Sequence, residues 1–284
     1  MTKTRKESFL IITLHYIIAA VLGWASWRLC KGAMHPYLAL FVADAVATIY
    51  IWALGLVYRN VSFYDPYWSV APPVMLTAWA VHMGHLGLAG ALVLVAVWYW
   101  GIRLTWNWAV TFKGLAHEDW RYTKYRTECS PWLFHVINFF GLNMVPTIVV
   151  FLAMLPAFEL LFRTPIAGVS KFSLLGFAVS VAAATIQLVA DRQSHRFRRE
   201  HPGEVCAVGL WKHGRHPNYF GEISMWWGVW IASIPAVGIA SWYIVGPISV
   251  TILFCTVSIP LMERRQLKNK PAYAEYRRHT RLFI

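Results

Sequence analysis

Five stretches of the chain stay apolar long enough to cross a bilayer: Phe9–Leu29, Tyr37–Val57, Leu86–Val110, Leu133–Phe158 and Phe172–Ala190. Each is close to the roughly 20 residues that a helical crossing needs. Weaker stretches are Tyr67–Met83, cut by Pro72-Pro73, and the pair Ile223–Ile234 and Ile239–Met262, with a hinge expected at Pro235. Eight spans are therefore expected. The number falls to seven if Tyr67–Met83 is re-entrant, because adjacent prolines remove backbone donors that a lipid-exposed helix has to satisfy. Pro165 and Gly168 are expected to end the fifth span. No internal repeat, low-complexity tract or long linker interrupts the pattern. The expectation is one all-α integral membrane domain over residues 1–284, a bundle of seven to eight transmembrane helices.

Composition agrees with the pattern. The chain is 58% apolar and 14% charged, against about 45–50% and about 25% in soluble domains. Its net charge of +13 would suggest nucleic acid in a soluble chain, but with 16 tryptophans and few charges it points to lipid, and no nucleic-acid partner is expected. On an eight-span path, 22 of the 26 Lys and Arg residues fall on the side that holds both ends of the chain, and four (Arg28, Lys31, Arg163 and Lys171) fall on the other. The positive-inside rule then puts both termini in the cytoplasm. A bacterial inner membrane is the expected location. Lys3, Arg5 and Lys6 precede the first apolar stretch without a small-residue cleavage pattern, so that stretch is expected to remain as a span. Cys30, Cys129, Cys206 and Cys255 lack CxxC spacing and read as free thiols.

Polar chemistry collects in two segments. Continuing the helix that starts at Phe172 places Gln187, Asp191, His195 and Arg198 on one face leaving the membrane. Such a face suits a nucleotide, with Asp191 accepting from ribose hydroxyls and guanidinium groups gripping phosphate. It equally suits an ordinary basic helix end with surface pairs to Arg192 and His195. The second segment, Gly209 to Glu222, includes Arg215-His216-Pro217-Asn218-Tyr219. Its His-Pro-Asn reads as a turn with Asn218 as helix cap, and Glu222 follows at the membrane boundary, where a carboxylate is costly unless paired or used. His213 and His216 suggest a metal site only weakly, and no metal is expected.

Gly209-Leu-Trp, the run Arg215 to Glu222 and Trp226-Trp227-Gly228 resemble the signature of the steroid 5α-reductase family, specifically its bacterial branch, long known as a domain of unknown function. Other blocks fit in the same order: Asn60-Val-Ser with Asp65 and Trp68, Trp100 to Leu104, Glu118 to Tyr122 with Arg126, Ala190 to Gln193 with Arg198, and Tyr273 to Ile284. The resemblance runs from about residue 60, which leaves about 1–60 as variable N-terminal helices before a reductase-like core. It implies a membrane enzyme with cytoplasmic cofactor-binding loops that uses NADPH to reduce a carbon–carbon double bond conjugated to a ketone, in a steroid or related lipid that enters from the bilayer. By position it implies cofactor roles for Gln187, Asp191, Arg198, Asn218, Tyr219 and Glu222, with Arg103, Arg215 and His216 beside them and Arg265, Tyr273 and Tyr276 in the tail. Absence of GxGxxG is no objection to a nucleotide site of this kind.

Reduction of an enone also needs an acid at the carbonyl. Eukaryotic members of the family use a Glu and a Tyr from early helices. Here Trp100 stands at the matching Tyr position with Tyr99 beside it, and Asp65 is the preferred carboxyl, so Asp65 and Tyr99 are the expected catalytic pair. Asp65 would equally serve as a helix cap before Pro66. Asp44 and Glu159, inside or near spans, suit structural pairing or substrate contact. Residues 271–280 read as a short amphipathic helix, either a lid over the cofactor or a surface anchor. Two other functions fit the same sequence: an S-adenosylmethionine-dependent membrane methyltransferase of the isoprenylcysteine carboxyl type, and a non-catalytic lipid-binding protein.

Overall fold

The computed structural model describes residues 4–163 and 169–284. Lys3, Pro165 and Gly168 lie outside the described residues. The protein is an all-α membrane protein: helices account for its regular structure, and among the described residues there is no strand. Among the described residues, six helices are long and apolar enough to cross a membrane: Arg5–Cys30 (α1), Pro36–Val57 (α2), Leu88–Thr111 (α4), Pro131–Arg163, Lys171–Glu200 (α8) and Trp242–Asn269. The fourth of these joins α6 (Pro131–Val136), a π-helical segment at Ile137–Met144 and α7 (Val145–Arg163). The last joins α10 (Val245–Leu253), a π-helical turn and α11 (Ile259–Asn269).

Of the three weaker stretches, Ile239–Met262 falls largely in the last of these helices, and the other two are helical as well. Tyr67–Met83 (α3) runs unbroken through Pro72 and Pro73, and at 17 residues it is about 25 Å long. Pro217–Val237 (α9) also continues past Pro235, which sits in its last turn. The expected hinge is therefore displaced to Gly238, whose φ of 80° closes the helix while its N–H bonds the Ile234 carbonyl. A residue with no Cβ ends a helix in the left-handed region at little cost, whereas a proline near the C-terminus removes only one bond.

The chain divides into two compact units, Met1–Val74 with Leu104–Phe151, and Met75–Arg103 with Leu152–Ile284. In the first, two of the sequence blocks meet. Asn60 Nδ2 donates to the carbonyls of Leu115 (2.8 Å) and His117 (3.2 Å), and Glu118 accepts from the Val61 N–H at 2.9 Å. Asp119 then caps the short helix Trp120–Glu128 (α5), and Ser62 Oγ accepts from the Asp119 N–H at 3.1 Å.

The second unit is organised by the close pairing of α8 and α9. Small residues on α8 (Ser173, Gly176, Ser180, Ala183) lie against Gly221, Met225, Gly228 and Ala232 of α9. A Cβ on Gly176 would collide with the Ala232 backbone, and one on Gly228 would stand 2.7 Å from the Ser180 nitrogen. Ser173 and Ser180 donate to the carbonyls of Ala232 (3.3 Å) and Met225 (3.2 Å) across the seam. In a bilayer the hydrophobic effect does not drive helices together, so packing and hydrogen bonds of this kind fix the pairing. Its consequence is local: the polar end of α8 is held over the first turns of α9.

Candidate functional site

Glu222 lies in the second turn of α9 and is 4% exposed. Its carboxylate accepts from Trp100 Nε1 at 2.9 Å, Gln187 Nε2 at 3.1 Å and Trp226 Nε1 at 3.2 Å. Arg103, one helical turn beyond Trp100 on α4, brings Nη2 to 3.8 Å from Glu222 and Nη1 to 3.1 Å from Asp191. Asp191 also accepts from Asn218 Nδ2 at 3.2 Å. Three helices thus contribute one buried constellation of a guanidinium, two carboxylates, two amides and two indoles. Its guanidinium offsets one of the two carboxylates, and the indole and amide N–H groups supply further hydrogen bonds to both, which is the condition for keeping carboxylates out of water. Three buried atoms in it have no hydrogen-bond partner: Arg103 Nε and Nη2, both donors, and Gln187 Oε1, an acceptor.

The structure brings together Arg103, Gln187, Asp191, Asn218 and Glu222 among the residues expected at a cofactor. Arg198 stands apart from them, exposed, with Nε on the Ser194 carbonyl at 3.2 Å. Arg215 and His216 turn to a second constellation centred on Glu263 of α11. Glu263 Oε1 meets Arg215 Nε at 2.8 Å and His216 Nε2 at 3.2 Å, and its Oε2 meets Arg277 Nε at 3.1 Å. The His216 ring lies parallel to Tyr219, with centroids 5.2 Å apart. Burial holds the His216 imidazole below its usual pKa, with Glu263 pulling in the other direction. His216 is the cap of α9, with Pro217 as first helical residue, so Asn218 is not the cap. Proline's fixed φ suits that first position, and the Asn218 amide is left to bond Asp191.

Tyr273 and Tyr276 belong to α12 (Tyr273–His279) and fasten the tail. Tyr276 OH donates to the Trp211 carbonyl at 2.5 Å, and Tyr273 is buried, which pushes its phenol up to about 12. Main-chain bonds from Arg215 to Arg281 (2.9 Å) and from His216 to Leu282 (3.1 Å) continue the attachment. Arg265 is half-buried on α11. The loop before the turn is held to α8 by Trp211 Nε1 on the Ala190 carbonyl at 2.9 Å and by Gln193 Oε1, which accepts from Leu210 N–H at 2.8 Å. Gly209, at φ 56°, passes so near the Gln193 side chain that a Cβ would overlap it.

Of the expected catalytic pair, Tyr99 OH lies 3.1 Å from Thr185 Oγ1 in the second unit. Asp65 is in the first unit, where its carboxylate accepts a short hydrogen bond from Tyr122 and lies 3.5 Å from Arg121 Nη2. Burial raises Asp65 to about 6, against the opposing pull of Arg121 and the Tyr122 hydroxyl.

Sequence reasoning did not assign Trp226 or Glu263. Both carried a signal. Trp226 is one helical turn from Glu222, and Glu263 is the only acidic residue between Glu222 and Glu275. Among the described residues no group of His, Cys, Asp and Glu is arranged to hold a metal.

A membrane-spanning helical protein that gathers a guanidinium, carboxylates and amides where an apolar helix turns polar belongs to the class of integral membrane proteins with a built polar site. The chain is a member of the family described as "Protein of unknown function (DUF1295)", which it matches over residues 51–280. That family is related to the steroid 5α-reductases and falls in a superfamily of reductase-like and methyltransferase-like membrane proteins. The chain is also similar to "Uncharacterized protein C594.04c" of Schizosaccharomyces pombe, with 19% identity over 273 residues that cover 85% of this chain and 77% of the relative. No solved structure matches it significantly.

Proposed function

We propose that the protein is a membrane-embedded, NADPH-dependent reductase of a conjugated carbon–carbon double bond in a steroid or related lipid. The observation that carries the reading is the constellation of Arg103, Asp191, Asn218, Gln187 and Glu222, in which two buried donors of Arg103 and a buried acceptor of Gln187 are left without hydrogen-bond partners. A nicotinamide carboxamide needs one of each, so Arg103 Nε and Gln187 Oε1 fit the group. NADPH, when bound, supplies the hydride that goes to the β-carbon of the enone.

The chain's own residues do the rest. Asp191 and Asn218 offer an acceptor and an amide to a ribose, and Arg198, on the same helix face as Asp191, offers a guanidinium to phosphate. Glu222 is held by three N–H donors and Arg103, so it serves as an oriented acceptor and not as a movable base. From the sequence resemblance, Asp65 is the proposed proton donor, and within its own unit burial raises its carboxyl into the range of a usable acid. Tyr99, with its hydroxyl shared with Thr185, is assigned a hydrogen bond to the substrate.

The deciding experiment is ligand-dependent thermal stability of the detergent-purified protein. NADPH is expected to raise the unfolding midpoint, and Asn218→Ala to lose the shift. Stabilisation by S-adenosylmethionine in place of NADPH would mean a methyltransferase. No response to either, with no NADPH consumed over a panel of 3-keto-4-ene steroids and shorter enones, would mean a non-catalytic lipid-binding protein.

A further inference from the structure

A second set of polar groups lies in the first unit, on helices that carry neither Lys nor Arg through their apolar lengths. Helix α2 and the helix running from Pro131 to Phe151 are antiparallel neighbours there. Phe41 packs on Phe151 with ring centroids 5.2 Å apart, Thr48 Oγ1 is 2.9 Å from Thr147 Oγ1, and Trp52 packs on Phe139 at 4.9 Å. This register puts Asn143 opposite the turn of α2 between Thr48 and Trp52.

Asn143 belongs to the π-helical segment and is 1% exposed. Its Nδ2 donates to Asn138, to the backbone carbonyl at 2.7 Å and to Oδ1 at 3.0 Å. Its own Oδ1 has no partner. Trp52 Nε1 on the facing turn is buried and also has none. The seam therefore holds one orphaned acceptor and one orphaned donor, both buried within the protein, where leaving a polar group unpaired is costly. Interruptions of α-helices by π turns recur at functional sites. The one charged residue on this face of α2, Asp44, takes the Tyr67 hydroxyl at 2.7 Å and disfavours an anionic guest.

We propose that this seam is a binding site for the oxygen-bearing end of a neutral lipid, with Trp52 Nε1 donating to that oxygen and Asn143 Oδ1 accepting from it when it is a hydroxyl. The site is independent of the reductase reading and requires no nucleotide.

The test uses 1-dodecanol, 2-dodecanone and dodecane as probes, supplied in micelles to the purified full-length protein, with the unfolding midpoint as readout. Dodecanol and dodecanone raise the midpoint and dodecane does not. Trp52→Phe, which keeps the ring against Phe139 but removes the donor, weakens both oxygen-bearing probes at least tenfold. Asn143→Leu weakens the alcohol by a similar factor and leaves the ketone, which has no proton to give. Equal shifts from all three probes, no shift from any, or variants that affect alcohol and ketone alike at position 143 would overturn the site. Should Asn143→Leu fail to fold, Trp52→Phe decides alone: unchanged shifts refute the proposal.

Discussion

Arg103 is the residue on which the candidate site turns, because it is buried between two carboxylates, Asp191 and Glu222. Removing one partner of such a pair leaves an uncompensated buried charge, which costs about 3–5 kcal/mol. Arg103→Met is therefore expected to destabilise the protein by about that much in reversible unfolding in mixed micelles, and adding Glu222→Gln to it is expected to recover part of the loss. A single-mutant cost under about 1 kcal/mol would place these groups in water. Asp65 makes a pH-dependent prediction at the same scale. Its folded pKa of about 6 lies above the ordinary value of 3.8, so between those limits the native state keeps a proton that the unfolded chain has released. Stability then falls as pH rises through that window, by roughly 3 kcal/mol from one end to the other, and levels off above it. Asp65→Asn is expected to flatten that part of the stability profile. Spacing alone marks Asn218 only as a helix cap, and its bond to Asp191 depends on α8 lying against α9, but Asp191 and Glu222 were legible in the sequence, the one on a polar stripe at helical spacing and the other as a carboxylate at the head of a span. Arg215 and His216 were not, since their partner Glu263 lies 47 residues away from His216 in the chain, and nothing local reports a contact of that range.

At the level of elements, the pairing of α8 with α9 sets the geometry that the polar residues depend on. The continuation of α8 beyond the membrane was readable from the period of its polar face, and the end of α9 was not, because Pro235 and Gly238 both signal a break and only the backbone shows which one is used. The close seam was written as small residues at Gly176, Ser180, Gly221 and Gly228, a pattern that has meaning only once both helices are known to face each other. Gly228→Ala tests it. The added methyl meets the Ser180 nitrogen at 2.7 Å and the Gly176 carbonyl at 2.8 Å, both backbone atoms that yield only if the helices separate. An overpacked seam costs about 1–3 kcal/mol. Separation also withdraws Gln187 from Glu222, so the expected result is a lower unfolding midpoint together with a weakened NADPH response. A variant as stable as the wild type would show that the two helices do not approach this closely.

For the molecule as a whole, the distribution of basic residues makes a prediction that needs no ligand and no known activity. The topology expected from the charge count, with both termini cytoplasmic, would place Cys129 and Cys206 among 22 basic residues on the inner face, and Cys30, between Arg28 and Lys31, on the opposite face. All four cysteines are free and half-buried, so none is tied up in a disulfide. A membrane-impermeant maleimide added to intact cells is expected to label Cys30 and to reach Cys129 and Cys206 only after the membrane is opened. Single-cysteine variants keep the three signals separate, and Cys255, inside a span, serves as a background control. Labelling of Cys206 from outside would invert the protein. It would carry the polar end of α8, with Asp191 and Arg198, to the side that holds no NADPH pool, and the reductase reading would fall with the topology. Labelling of Cys30 and Cys206 from the same side would instead change the number of crossings between them to an even one, which bears directly on whether α3 spans the membrane or returns. The charge pattern, which by itself only orients the chain, thus constrains where a nucleotide has to be delivered.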